Sequence, residues 1–370
     1  MEKKKLRIII SGGGTGGHIF PAISIAKAIQ DINPDVELLF VGAKGRMEME
    51  KVPAAGYNIV GLPVVGLQRK LTIKNISFPI KLIKSLRMAS KIISNFKPHV
   101  VVGVGGYASG PILKMAQRKN IPTVIQEQNS YAGITNRLLG KKAVAICVAY
   151  SNMDRYFPKD KIVLTGNPIR QGLENIDSKI EEGRDFFGVP AGNKVVLVVG
   201  GSLGARTINE SLWNSIEKIA NNKDITLIWQ TGKYYYDNLK TKLQDKGFEN
   251  IKLFDFIQRM DMAFAASNLV VSRAGACTIS ELCLVGKPTI LVPSPNVAED
   301  HQTKNANALA KINATILIHD KNAAEHLTDK IIETLKDDSA LKRLETNIRT
   351  MALPNAANDI ARIVVNLGAP

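Results

Sequence analysis

Five polar side chains stand where chemistry can happen: His18, Glu127, Ser202, Glu281 and Gln302. His18 closes the run Ser11-Gly12-Gly13-Gly14-Thr15-Gly16-Gly17-His18. A glycine turn between strand and helix lets backbone approach a ligand closely, and the helix start offers N–H groups and a positive dipole end. Phosphate or pyrophosphate is the natural guest there, with His18 at the rim for proton transfer near neutral pH. Taken alone, this loop also fits a purely structural turn. A dinucleotide site is disfavoured: Gly12, Gly14 and Gly17 match G-x-G-x-x-G, but that site needs an acid about 20 positions on, at the end of the next strand. The second strand-like run instead enters Gly42-Ala43-Lys44-Gly45-Arg46, with no acid before Glu48.

Glu127 lies in Gln126-Glu127-Gln128-Asn129, after a strand-like run, and Val104-Gly105-Gly106-Tyr107-Ala108-Ser109-Gly110-Pro111 is another glycine turn after a strand-like run. Loops at the carboxyl ends of parallel strands line ligand crevices. Further on, Gly200-Gly201-Ser202-Leu203-Gly204-Ala205 repeats the glycine turn, and Ser202 with its neighbouring N–H groups can hold a phosphate. The stretch Arg273-Ala274-Gly275-Ala276-Cys277-Thr278-Ile279-Ser280-Glu281 opens another helix, and the Glu281 carboxylate can accept both hydroxyls of a ribose or remain a solvated helix acid. Gln302 both donates and accepts, which suits paired sugar hydroxyls.

These turns must be carried by alternating strands and helices. Strand-like runs fall at 7–10, 36–41, 59–62, 100–104, 123–126 and 144–148, then again at 195–199, 226–230, 251–254, 269–272, 289–292 and 314–318. The first helix is expected over 19–30, with Pro21 in its first turn. This rhythm predicts an α/β protein of two Rossmann-like, doubly wound parallel-sheet domains facing across a cleft. The composition break near Gly166-Asn167-Pro168 puts the domains at 1–168 and 169–354, with a terminal helix at about 355–370 packing back on the first.

The 370 residues suit two domains. Cys147, Cys277 and Cys283 have no metal spacing and read as buried apolar residues in a reducing compartment. No apolar run is long enough for a transmembrane helix. The formal net charge is +16, and most of it resides between Lys51 and Gln126, which holds twelve Lys and Arg and no acid. Such a field attracts polyanions or an anionic membrane. Within it, the segment 73–93 carries Ile76, Ile80, Ile83 and Leu86 at helical spacing, flanked by Lys81, Lys84, Arg87 and Lys91. It reads either as a core-facing helix with a solvated side or as an amphipathic surface on anionic lipid. Nucleic acid is not an expected partner: aromatics are 6% of the chain and do not interleave with the lysines.

Seven motifs in order, GGGTGGHIFPAISIA, VGVGGYASGP, QEQN, GNPIR, GGSLGAR, SRAGACTISE and DHQTKNA, carry a resemblance over nearly the whole length. The chain resembles the peptidoglycan glycosyltransferases of family 28. These move N-acetylglucosamine from UDP-GlcNAc to undecaprenyl-pyrophosphoryl-MurNAc-pentapeptide (lipid I), giving lipid II. The resemblance implies the GT-B fold, an inverting transfer to the C4 hydroxyl of MurNAc, and a peripheral position on the cytoplasmic face of the bacterial plasma (inner) membrane. By similarity, UDP-GlcNAc is contacted by Thr15, Gly16, Gly17, Asn129, Arg170, Ser202, Ile257, Ala276, Cys277, Thr278, Ile279, Ser280, Glu281 and Gln302. The same resemblance places the acceptor pyrophosphate at the glycine loops, here Gly13, Gly14, Gly105, Gly106 and Tyr107. It favours membrane contact through the 73–93 helix, where Ile80, Ile83, Leu86, Lys81, Lys84 and Arg87 are the candidates. Other cell-wall synthesis proteins are implied as partners. A different GT-B transferase with a soluble acceptor, or a two-domain sugar-nucleotide epimerase, is the alternative reading.

Such a transfer needs a general base and fixed dipoles for charge growing on the diphosphate. His18 is the favoured base and Glu127 its competitor. A helix start and Arg170 can supply the dipoles, so neither cofactor nor metal is expected. Activity should survive EDTA; loss in chelator with recovery in Mg²⁺ would overturn this.

Overall fold

Runs of β-branched residues build two parallel sheets, which the computed structural model describes over residues 5–64, 78–169, 172–201, 203–297 and 300–368. The chain divides into one unit of Met1–Arg170 with Asn355–Pro370 and a second of Gln171–Pro354. In the first, β1 (Arg7–Ser11), β2 (Glu37–Ala43), β3 (Ile59–Leu62), β4 (Val100–Gly103), β5 (Thr123–Glu127), β6 (Ala145–Val148) and β7 (Ile162–Leu164) lie in the order β3-β2-β1-β4-β5-β6-β7. Ile8 pairs with Leu38 on one side and Val100 on the other, both parallel. Side chains alternate between faces along a strand. Ile8, Ile10, Val100 and Val102 therefore pack under helix Gly16–Ile32, while Ile9, Val101 and Ile125 pack under Ala89, Ile93, Ile112 and Leu113 on the opposite face. The terminal helix Ala356–Gly368 completes the first layer: Ile360, Ala361 and Val364 are fully buried against it.

The second unit repeats the plan. Its strands are β8 (Lys194–Val199), β9 (Ile225–Gln230), β10 (Ile251–Phe254), β11 (Leu269–Ser272), β12 (Thr289–Leu291) and β13 (Ile316–Leu317), in the order β10-β9-β8-β11-β12-β13. Val196 and Val198 face a core that includes Ile208, Leu212, Leu327 and Ile331.

Several expectations change. β7 was not legible in the sequence: it is three residues at the sheet edge, with Val163 and Leu164 exposed. The expected strand 314–318 shortens to β13. The first helix starts at Gly16, because the N–H groups of His18 and Ile19 already bond to the Thr15 carbonyl. Pro21 is thus inside the helix rather than in its first turn. Cys147 and Cys283 are buried, and burial pushes both thiols up to about 12. Cys277 is only half-buried, since it sits in the first turn of helix Ala276–Val285.

Helix Phe78–Phe96 divides along its length. Its later part is core-facing through Ala89, Ile92 and Ile93. Its earlier part leaves Ile80 71% and Ile83 51% exposed, with Lys81, Lys84 and Arg87 also exposed and Leu86 half-buried. Ser85, which bonds its own helix at the Lys81 carbonyl, takes the buried position there instead. Ile76 lies outside the described residues. Among the described residues no helix is long and apolar enough to cross a membrane.

Candidate active site

The strand order of the first unit reverses between β1 and β4, and loops diverge at such a switch point to leave a crevice. The loops after β1 and β4 meet there backbone to backbone. A side chain at Gly106 would collide with the Gly13 carbonyl oxygen, so Gly106 tolerates no Cβ. A Cβ on Gly105 would lie 2.6 Å from Cδ2 of His18. The imidazole therefore rests on bare backbone. Its Nδ1 is 3.1 Å from Oγ1 of Thr15, and the ring is half-buried. The structure thus groups Gly13, Gly14, Thr15, Gly16, Gly17 and His18 with Gly105 and Gly106. Tyr107 stands beside them, 58% exposed.

Glu127 ends β5 and is buried. Its Oε1 accepts from the backbone N–H of Asn129 at 3.1 Å and from that residue's side-chain amide at 3.3 Å. Its Oε2 accepts from the Gly133 N–H at 3.0 Å and from Nδ2 of Asn136 at 2.9 Å. Burial raises the carboxyl pKa above its ordinary 4.5, and these donors oppose the rise without cancelling it. Each oxygen is already committed to these donors, so this carboxyl anchors the 127–136 loop. Asn136, on helix Ile134–Gly140, carries no motif that marks it in the sequence. Beside this loop, Gln126 donates to Oδ1 of Asn167 at 2.9 Å, Asn167 donates to the Gln128 carbonyl at 3.1 Å, and Gln128 donates to the Val104 carbonyl at 2.6 Å. The QEQN and GNPIR motifs are thereby tied to the β4 loop.

In the second unit the order reverses between β8 and β11, and a cavity of about 680 Å³ opens at that point. Gly201, Gly204, Arg273, Thr278 and Gln302 line it. Helices Arg206–Asn214, Ala276–Val285 and His301–Ala310 all begin at its wall, and none has an acid in its first turn. Helix starts carry about half a positive charge each, so the arrangement attracts an anion. Arg273 donates to the carbonyls of Val292 at 3.0 Å and Pro293 at 3.2 Å and pairs with Asp320, which also accepts from Thr207 Oγ1 at 3.0 Å. Gln302 Oε1 accepts from the Ser294 N–H at 2.8 Å. Asp320 and Thr207 were missed from the sequence, because neither belongs to a glycine turn.

Glu281 is buried on the helix that begins at this cavity. Ala276, Cys277 and Ser280 lie on the same helix, and Ile279 is turned into the core. Ile257 is buried too, and its N–H donates at 2.9 Å to Oε1 of Gln230, whose Nε2 donates at 3.2 Å to the Gly201 carbonyl. Arg170 and Ser202 lie outside the described residues.

Comparison with known proteins gives this geometry a family. The model of the glycosyltransferase family 28 N-terminal domain matches residues 8–148, and that of the C-terminal domain matches 195–360. A relative from Phocaeicola vulgatus is 57% identical over 99% of this chain and 97% of its own. This chain belongs to glycosyltransferase family 28. That relative bears the name UDP-N-acetylglucosamine–N-acetylmuramyl-(pentapeptide) pyrophosphoryl-undecaprenol N-acetylglucosamine transferase, as does one from Cytophaga hutchinsonii that is 54% identical over 99% of this chain and 98% of its own. The crystal structure of Acinetobacter baumannii MurG superimposes with a TM-score of 0.79 at 27% identity, covering 98% of this chain and 99% of that one. The family's GT-B fold is thus that of the two sheets described. A UDP-GlcNAc 2-epimerase from Neisseria meningitidis shares the fold at 14% identity, with a TM-score of 0.65 over 98% of this chain and 99% of that one.

The Glu127 carboxyl gives the family 28 site a pH signature. Its folded pKa lies above its unfolded value, so the folded state binds the proton more tightly. The stability this contributes is fully present below the ordinary 4.5 and is lost as pH rises through the raised value. Melting curves should therefore show the wild type losing stability relative to Glu127→Gln across that window; a rising difference would contradict the burial argument.

Proposed function

We propose that this chain transfers N-acetylglucosamine from UDP-GlcNAc, with inversion, to the C4 hydroxyl of MurNAc in undecaprenyl-pyrophosphoryl-MurNAc-pentapeptide, making lipid II. What carries this reading is the family 28 match together with relatives named for that transfer, more than half identical along essentially their whole length. UDP-GlcNAc is assigned to the second unit. Its helix starts and glycine turn suit the diphosphate, Glu281 the ribose, the Ile257 backbone the uracil, and Gln302 with Thr278 the sugar. Arg170 and Ser202 are assigned to the diphosphate on resemblance. The acceptor pyrophosphate is assigned to the loops of Gly13, Gly14, Gly105, Gly106 and Tyr107, and Thr15, Gly16, Gly17 and Asn129 are assigned to the donor on resemblance.

The chemistry follows from those assignments. His18 takes the proton of the C4 hydroxyl as that oxygen attacks C1 of the α-linked sugar, and UDP leaves from the opposite face. Helix dipoles receive the charge that grows on the diphosphate. Glu127 supports His18 indirectly by holding the loop that carries Asn129. The assay is transfer of labelled N-acetylglucosamine to a lipid I analogue, with UDP-glucose and UDP-GalNAc alongside. Selective β(1→4) transfer is expected, and His18→Ala should lose about 100-fold or more in kcat, as expected for a general base. Near-normal turnover by that variant would remove His18 from the role.

A water-soluble nucleotide sugar and a membrane-anchored acceptor meet only at a membrane surface. We assign that contact to the early part of helix Phe78–Phe96, through Ile80, Ile83, Leu86, Lys81, Lys84 and Arg87. Ile134, Leu138 and Tyr107, also exposed, lie in the same unit, and an apolar groove of about 470 Å³ runs past Leu82, Leu86, Tyr107, Leu138 and Lys114. An aliphatic side chain gains roughly 1.5–3 kcal/mol on leaving water, and a surface Lys or Arg about 1 kcal/mol at an anionic leaflet. A few of each suffice for reversible, peripheral binding at the cytoplasmic face of the plasma membrane. Ile80→Ser with Ile83→Ser should weaken partition onto phosphatidylglycerol vesicles while leaving UDP binding intact. Unchanged partition would place the membrane contact elsewhere.

A further inference from the structure

Glu48 has no part in the assignments above, yet it is fully buried at the start of helix Glu48–Ala54. Its Oε2 accepts from the Gly14 N–H at 2.9 Å and its Oε1 from the Ala43 N–H at 2.9 Å. A buried carboxylate is tolerated when both oxygens receive donors, and such charge-assisted bonds are the strong ones. The side chain also occupies the space behind the loop. A Cβ on Gly13 would run into the Glu48 carboxylate, and one on Gly42 would lie 2.6 Å from its Cγ. On its other side, Gly13 is met by Gly106. The β1 loop is therefore held between an acid and the second glycine loop.

This packing fixes the loop that an anionic ligand would meet. The Gly14 N–H is spent on Glu48, whose side chain backs the Gly13–Gly14 side of the loop. We propose that Glu48 is a positioning residue for the acceptor diphosphate: it fixes the Gly14 N–H, holds Gly13 against Gly106, and so sets the two glycine loops in the arrangement that receives the acceptor. This rests on the assignment of the acceptor to these loops.

The test compares acceptor and donor kinetics in Glu48→Gln, which keeps the shape but turns an amide NH₂ toward a backbone N–H. The expected result is a loss of about 10- to 100-fold in kcat/KM for a lipid I analogue, the range for one lost charge-assisted bond, with the KM for UDP-GlcNAc and UDP binding by calorimetry unchanged. If Glu48→Gln folds poorly, Gly42→Ala presses on the same side chain. Its effect on acceptor kcat/KM should then be less than additive with that of Glu48→Ala. Wild-type acceptor kinetics in Glu48→Gln, alongside a raised acceptor KM in Gly106→Ala, would overturn the proposal and leave the acceptor site standing. Equal losses for donor and acceptor with a lowered melting temperature would reduce Glu48 to a structural role. An acceptor KM unchanged in both Gly106→Ala and Glu48→Gln would reject the acceptor assignment and the proposal with it.

Discussion

The contact between the Gly13 and Gly106 backbones is the constraint on which the first unit's site depends. Two loops at the reversal of this parallel sheet approach so closely only because Gly106 carries no side chain. That approach brings the start of helix Gly16–Ile32 to the crevice and gives the His18 ring a flat seat on Gly105. Any larger residue at Gly105 or Gly106 displaces either the ring or the loop. Glu48 supports the same contact from behind, and the Gln126–Asn167–Gln128 hydrogen bonds tie the next loop to the carbonyl of Val104.

The second unit solves a similar problem with different parts. Its sheet also reverses beside its first strand, and its glycine turn also opens a helix. Here the walls are held by ions as well as backbone. Arg273 spans the β12 loop and Asp320, and Thr207 joins the pair from helix Arg206–Asn214. Arg273 and Asp320 are both largely buried, so removing one partner would strand a charge, which costs far more than an exposed pair contributes. The arrangement suits a pocket meant to present helix dipoles to an anion: the guanidinium is committed to the scaffold, and backbone N–H groups remain the natural anion ligands.

Helix Phe78–Phe96 is core-facing in its later part and exposed in its earlier part. Small and β-branched residues at Ala89, Ile92 and Ile93 satisfy the core, and Ser85 allows close packing where the helix turns away. Beyond that point the apolar spacing continues without anything covering it among the described residues, and the basic residues of the acid-free stretch surround it. A hydrophobic period alone cannot tell these halves apart, because core and bilayer reward the same side chains.

By itself the sequence determined the alternation of strand, glycine turn and helix, since β-branched runs and glycine act through local backbone preferences. It also carried the family, because seven spaced motifs are preserved in order. The placing of most of those motifs on strand ends was readable for the same reason, since they follow apolar runs, whereas GNPIR follows the short β7 and DHQTKNA opens a helix. Only the tertiary structure decided which turns meet. Strand order brings Gly13 to Gly106 across more than ninety residues of chain, and no local signal encodes that distance. It likewise set Asn136 on Glu127 and joined Asp320 to Arg273. It exposed Ile80 and Ile83, whose spacing matches a buried face. The physical reason is common to all of these: hydrogen-bond saturation and burial belong to neighbours in space, whereas spacing and residue type belong to neighbours in sequence.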